Sequence, residues 1–300
     1  MRITPPATSI GQIAYEALRS AKGEPVGEAI ASFRNSFYIK TSNDQLIFVT
    51  NRLLKSPITI NLGSSTDFGH LKPHEHVFYE QPELRVGGLT IDLDGTPIQR
   101  DQLPITALHI GHLQEALYVA ATILSIVDTR LSVLDNTWVT FGKASQFART
   151  GILSVRDCGC NGNFRATAEE IIGLGGGFTP SGDDLLAGFL ATYNSLAQSA
   201  GRPKILIDFE TIGRSTSWVS GKLLDYMQRE VYDDQVSQLI RSAGMGNKDE
   251  FILAIEALLP RGHTSGVDIA VGSILAAAIL VDLANNGHET EAVTDRLGLS

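Results

Sequence analysis

The apolar pattern changes period once, near Pro104, and that change limits what this chain can fold into more than any other feature. Before it come short runs of strand formers: SFYIKT at 36–41, QLIFVT at 45–50, PITINL at 57–62, VFYE at 77–80 and LRVGGLTIDLD at 84–94. Turn-forming pieces such as SNDQ and DLDGTP separate them, as strand-and-turn chemistry requires. The runs lie too close together for crossover helices, so an antiparallel small sheet or barrel is expected over about 30–104. A helix is expected earlier, over 8–22, from the spacing of Ile10, Ile13, Ala14, Ala17 and Leu18 before Gly23.

After Pro104 the period is helical. Helices are expected within 108–134, 167–175, 181–199, 216–231, 232–244, 248–259 and 265–287, the last apolar nearly all round and so central to its domain. The fold class is α+β: residues 1–106 an N-terminal helix plus β-rich domain, residues 107–300 a helical domain. At 300 residues, two domains and a sizeable core are the natural expectation.

Charge narrows the function. A net charge of −9 with no basic cluster speaks against nucleic acid or an acidic membrane as partner. The N-terminus lacks a secretory pattern. The longest apolar run, Ile269 to Val281, rises only about 20 Å as a helix, short of a bilayer core. A cytoplasmic protein is expected. Cys158 and Cys160 in DCGCNGN read as two reduced thiols in a turn, since one intervening residue strains a disulfide.

Two stretches repeat one pattern. GLGGGFTPSGDDLLAGF at 173–189 and RGHTSGVDIAVGS at 261–273 both contain Ser-Gly-x-Asp, two apolar residues, a small apolar residue and Gly. Each reads as a helix start in which the serine caps a first-turn N–H and the Asp three residues on reaches back. Gly188 and Gly272 then lie inside helices, where each costs roughly 1 kcal/mol against Ala, so close helix packing is expected at both. Capping accounts for Ser181 and Asp184. It leaves Gly175, Gly176, Gly177 and Asp183 over, and likewise Arg261, Gly262, His263 and Thr264.

A ligand site uses these surplus residues. Glycine-rich backbone ahead of a helix start offers N–H groups to an oxyanion, and two such starts together make a pocket. The expected binding residues are Gly175, Gly176, Gly177, Thr179, Ser181, Gly182, Arg261, His263, Thr264, Ser265, Gly266 and Asp268. Asp183 and Asp184 are the catalytic candidates; they suit a ligand amide or ureido N–H, a bound metal ion, or a general base. Arg261 and His263 balance an anionic part of the ligand. No cofactor is firmly implied, with Mg2+ or phosphate the candidates.

GLGGGFTPSGDD with LLAGF, followed about eighty residues later by RGHTSGVD behind a β-rich region, resembles the AllH-type family of bacterial proteins. Its characterised type is a subunit of oxamate carbamoyltransferase in allantoin catabolism, a route of purine degradation. The resemblance implies carbamoyl transfer between oxalurate and phosphate, and partner subunits of which one is FdrA-like. Where the family tends to Gly-Pro-Gly, this chain has Gly175-Gly176-Gly177, and Arg261 stands where an apolar residue is commoner. A non-catalytic, metabolite-binding accessory subunit is the alternative. TPSGDDLLAGF alone also resembles the anion hole of ribokinase-type sugar kinases, which would make Asp183 the base.

Other candidates have plainer readings. His70, His74 and His76 in HLKPHEH have metal-compatible spacing but lie in a Pro-containing connection, where solvated histidines are usual. His109 and His112 share a predicted helix face. Ser217 and Ser220, with Lys222 nearby, are explained by capping.

Overall fold

The computed structural model describes residues 5–21, 25–100, 108–127, 130, 132–137, 139–158, 161–209 and 215–300. The chain divides into two compact units, Met1–Gln102 and Leu103–Ser300. The expected boundary at 106/107 and the Cys158/Cys160 thiols lie outside the described residues and side chains.

The first unit is a nine-stranded sheet: β1 (Ala7–Gly11), β2 (Gly27–Phe33), β3 (Ser36–Thr41), β4 (Leu46–Thr50), β5 (Thr59–Leu62), β6 (His76–Glu80), β7 (Glu83–Val86), β8 (Leu89–Asp92) and β9 (Ile98–Gln99), ordered β8-β7-β6-β2-β3-β4-β5-β1-β9. A bridge from Pro6 to Asp92 joins the approach to β1 with the end of β8. Alternate residues such as Phe37, Ile39, Ile47 and Val49 point into one apolar core with Ala14 and Leu18 of α1 (Gln12–Ser20).

Two expectations are corrected here. Thr8–Gly11 is strand rather than helix, because it pairs with β5 and its Ile10 fills the sheet core. The sheet is mixed rather than wholly antiparallel, with β4–β5 and β1–β9 parallel. A connection of only residues 51–58 joins β4 to β5, and the buried Asn61 side chain holds it. Its Oδ1 accepts from Leu54 N–H (3.1 Å), and its Nδ2 donates to Leu54 O (2.9 Å) and Ser9 Oγ (3.0 Å).

The second unit is helical: α2 (Ile110–Ile126), α3 (Val139–Gln146), a π-turn (Phe147–Ile152), α4 (Leu153–Cys158), α5 (Asn161–Ile171), α6 (Ser181–Ala197), α7 (Trp218–Gln228), α8 (Asp234–Met245), α9 (Lys248–Leu258), α10 (Ser265–Asn285) and α11 (Glu289–Arg296). The α+β fold is thus a strand-rich unit followed by a helical one. α10 extends well beyond the apolar run read from the sequence. At 21 residues it is long and apolar enough to cross a membrane by length and composition, about 31 Å. It is instead the core of the unit, buried without interruption from Gly266 to Asp282. That burial explains why it lacks a polar face.

α6 and α10 lie side by side with backbone touching backbone. A Cβ on Gly188 would sit 2.0 Å from Ile269 O, and one on Gly272 would sit 1.9 Å from Leu185 O. Each glycine lies seven residues into its helix and meets a residue four into the other, so the contact is reciprocal. The expected reason for these glycines, close helix packing, is what the structure shows.

Alanine at either position gains helix propensity worth about 1 kcal/mol but forces these backbones apart, and overpacking costs about 1–3 kcal/mol or more. With the Cβ set within 2.0 Å of a backbone oxygen, the upper end of that cost applies, and Gly188→Ala and Gly272→Ala are expected to lower stability by about 2 kcal/mol, read as a fall in the urea midpoint at unchanged slope.

Candidate functional site

The site forms where α6 and α10 begin. Each helix is preceded by a loop and an earlier helix packed against its first turn, so α5–α6 and α9–α10 are two copies of one helix–loop–helix unit. Gly182 sits on Ile171 O at the end of α5, and Gly266 on Leu258 O at the end of α9, with Cβ positions 2.0 Å and 1.8 Å from those oxygens. Their amides are spent inside the loops, Gly182 N–H on Leu174 O (2.9 Å) and Gly266 N–H on Arg261 O (3.0 Å). Neither N–H is open to a ligand.

The expected capping boxes are not made. Pro180 and Thr264 are the N-cap residues of α6 and α10, neither with a side-chain cap, and Ser181 and Ser265 are the first residues inside. The side chains reach across to the other motif instead. Thr179 Oγ1 donates to Asp184 Oδ2 (3.0 Å) and lies 3.2 Å from Ser265 Oγ. Ser181 Oγ lies 3.5 Å from Thr264 Oγ1. Ser265 of the second motif also supports the Asp184 carboxylate, while Ser181 of the first supports Asp268. A serine placed just inside the helix has its own N–H groups behind it and the neighbouring helix in front, so crossing wins over capping.

Three acids are buried here with different surroundings: Asp183 is 1% exposed, Asp184 7% and Asp268 0%. Asp183 is fully engaged by its own chain. It accepts from Gly173 N–H (2.7 Å), from Ser220 Oγ (2.6 Å) and from Thr216 Oγ1. The expectation that Asp183 is surplus to structure is corrected: it ties the α5–α6 loop to the start of α7. Burial raises its pKa, and the Ser220, Thr216 and Gly173 donors pull it back. With its oxygens occupied in this way, Asp183 is poorly placed as a kinase-like base. Ser217 caps α7 as expected, accepting from Ser220 N–H, but the second job of Ser220 was not legible from its capping position.

Asp184 and Asp268 are held more loosely. Burial pushes Asp184 up to about 7 and Asp183 adds to the rise, against Ser265, Thr179 and the Arg261 charge. Burial likewise pushes Asp268 up to about 7, helped by the nearby Asp184 and opposed by Val133 N–H, Ser181 and Thr264. Asp268 Oδ1 accepts from Val133 N–H (2.8 Å). Its Oδ2 meets no donor at hydrogen-bonding geometry, although the Ser181 and Thr264 hydroxyls are near enough to favour its charge. A hydrogen bond needs direction as well as proximity. Nothing in the sequence around Val133 signals its contact.

The two loops differ in character. Gly175 and Gly177 have φ of +112° and +98°, which only glycine adopts without strain, and Gly176 and Gly177 are exposed. Among the described residues, the N–H groups of Gly175, Gly176 and Gly177 find no acceptor in the chain. The second loop carries Arg261, ion-paired with Asp233, the N-cap of α8, and an exposed His263. The structure thus gathers Thr179, Ser181, Asp184, Thr264, Ser265 and Asp268 into one cluster, with the glycine run and Arg261-Gly262-His263 on the loops leading to it.

The histidines of HLKPHEH have separate partners. His74 Nδ1 lies 2.9 Å from Glu28 Oε2, His70 Nδ1 lies 2.9 Å from Asp67 O, and His76 meets the Phe78 ring edge-on. Among the described residues no group of three or more His, Cys, Asp or Glu is arranged to hold a metal ion. Lys222 sits over the Trp218 ring, and His109 and His112 are exposed.

The fold and the cluster define an α+β protein whose helical unit carries a doubled helix start closed around two buried acids. Residues 171–277 match the family model described as oxamate carbamoyltransferase subunit AllH, a span running from the end of α5 into α10 and taking in both copies of the motif. The match is a likeness over that span, 107 of the 300 residues. No solved structure matches the chain.

A carboxyl near 7 in the folded chain and near 3.8 in the unfolded chain binds more protons folded than unfolded between those values. Its contribution to stability is therefore complete below about pH 4 and lost as pH rises toward 7. Asp268→Asn, which cannot ionise, is expected to be more stable than the parent at pH 8, with the gain shrinking toward pH 4. Denaturant midpoints at pH 5 and pH 8 read this difference. Asp183→Ala, which strands three donors, is expected to lose about 2–4 kcal/mol in the same assay.

Proposed function

We propose that this chain is a subunit of an oxamate-carbamoyltransferase-like enzyme that binds a small ureido and carboxylate metabolite at the joined starts of α6 and α10. The observation that carries the reading is the contact between the two motifs, Thr179 Oγ1 to Ser265 Oγ (3.2 Å) and Ser181 Oγ to Thr264 Oγ1 (3.5 Å), which brings two distant stretches together. The family match over both stretches supports the choice of chemistry.

The residues suit oxalurate. The free N–H groups of Gly175, Gly176 and Gly177 take its carboxylate or carbonyl oxygens, with the Arg261 guanidinium adding positive charge and His263 lying on the same loop. Asp184 and Asp268 take the ureido N–H groups. In the reaction a phosphate oxygen attacks the terminal carbamoyl carbon, the bond from that carbon to the oxamate nitrogen breaks, and that nitrogen takes a proton. Carbamoyl phosphate and oxamate result. A buried carboxyl near neutrality is suited to supply the proton, and loop N–H groups to stabilise the tetrahedral oxyanion. Partner subunits, one of them FdrA-like, complete the enzyme, which works in the cytoplasm. In this account Asp183 is a positioning residue.

The test is phosphate-dependent cleavage of oxalurate by the chain alone and together with its partner subunits. Activity is expected of the assembled enzyme, with Asp184→Asn reducing kcat about 100-fold or more, as loss of a general acid does. If Asp184→Asn and Asp268→Asn both leave kcat untouched while oxalurate still binds, the chain is a non-catalytic binding subunit.

A further inference from the structure

The sheet of the first unit curls until the approach to β1 meets the end of β8. A hollow of about 160 Å3 lies at this closure, away from any residue of the α6 and α10 motifs. Ile10 of β1, Pro82 and Leu93 give it an apolar lining, Tyr15 of α1 and Tyr79 of β6 add aromatic walls, and Asp94 stands on the loop from β8 to β9.

Backbone hydrogen bonds hold the rim in place. Leu93 N–H donates to Pro82 O (2.9 Å), Thr96 N–H to Leu93 O (3.3 Å) and Ile10 N–H to Pro97 O (3.1 Å). The β8–β9 loop is thereby tied both to the turn after β6 and to β1. Tyr15, Tyr79 and Leu93 also pack against the sheet core. The hollow is therefore formed before anything enters it, and preformed hollows at the mouths of closed sheets are a preferred place for small molecules.

Its polar groups are left over from folding. Among the described residues, the half-buried hydroxyls of Tyr15 and Tyr79 find no hydrogen-bond partner. The two phenols lie near enough to act on each other, and the Arg19 guanidinium, 5.5 Å from the centre of the Tyr15 ring, acts on Tyr79 as well. Asp92 Oδ1 accepts from Asp94 N–H (2.9 Å), while the exposed Asp94 carboxylate has no partner of its own. Arg85, on the strand beside β8, is engaged by Glu80 and Glu83.

Size and charge together select a ligand. A cavity of about 150 Å3 holds a benzene ring, so this one takes roughly six to ten non-hydrogen atoms. Two O–H donors beside a guanidinium call for ligand oxygens, and a free carboxylate calls for a positively charged N–H donor. A simple anion is repelled by Asp94 and a simple cation by Arg19, whereas a zwitterion is attracted by both.

We propose that the hollow at the closure of the sheet binds a small zwitterion, an α-amino acid with a short apolar side chain. Its carboxylate meets the Tyr15 and Tyr79 hydroxyls beside Arg19, its ammonium group meets Asp94, and its side chain lies on Ile10, Pro82 and Leu93. The site belongs to the strand-rich unit and does not rest on the chemistry proposed for α6 and α10.

Calorimetric titration of the full chain with L-valine tests it, alongside isovalerate, isobutylamine and glycine, which lack in turn the ammonium group, the carboxylate and the apolar side chain. L-valine is expected to bind, and each of the other three to bind at least about 10-fold more weakly. Tyr79→Phe and Asp94→Asn are each expected to weaken L-valine about 10-fold while leaving the denaturant midpoint close to that of the parent. Any of the three truncated probes binding as tightly as L-valine overturns the zwitterion assignment. L-valine binding that is unchanged in both variants puts the ligand elsewhere and overturns the site. No binding of any of the four at millimolar concentration overturns the proposal outright. None of these results bears on oxalurate cleavage, so the proposed function stands or falls separately.

Discussion

Everything at the site depends on how closely α6 and α10 approach. Gly188 and Gly272 let backbone meet backbone, and any side chain at either position would hold the two helix starts apart. Only at that separation can a serine at the head of one helix reach the aspartate three residues into the other. The same economy of side chains recurs at Gly182 and Gly266, where each helix start sits on the end of the helix before it. The buried apolar length of α10 supplies the hydrophobic stabilisation that keeps this close contact in place.

Neighbouring carboxylates have been given opposite tasks. Asp183 is surrounded by donors and holds the α5–α6 loop to the start of α7. Asp184, one residue on, accepts from Thr179, whose hydroxyl meets Ser265 of the other motif. Both helix starts favour negative charge, yet burial outweighs that help and holds Asp184 and Asp268 near neutrality. Such placement costs folding stability and leaves an oxygen of Asp268 without a donor. Groups of this kind concentrate where a protein binds or transforms something.

Much of the fold was legible from period and turn chemistry. The runs at 36–41, 45–50, 57–62 and 77–80 are strands, and the helices from 181 onward begin and end close to where their spacing places them. What escaped depends on partners rather than on local pattern. Thr8–Gly11 has helical spacing but is recruited by β5, and the parallel pairing of β4 with β5 relies on a buried Asn61. The segment at 139–158 lies in the stretch read as helical, but its π-turn at Phe147–Ile152 has no mark in the local sequence. At the site, sequence picked out the right cluster and misjudged its wiring. Ser-Gly-x-Asp satisfies the residue preferences of a capping box, and only the presence of the second copy alongside shows that both hydroxyls are directed across the interface. Gly173, Thr216, Ser220 and Val133 reach the acids from distant stretches with no local mark of doing so.

The central claim is that each motif completes the other rather than itself, and double-mutant cycles on stability test it most directly. Ser181→Ala combined with Asp268→Asn should deviate from additivity by about 0.5–2 kcal/mol, as interacting residues do. Ser181→Ala combined with Asp184→Asn should be close to additive. Coupling confined to Ser181 and Asp184, with Ser181 and Asp268 additive, would contradict the crossed arrangement and return both motifs to separate capping boxes.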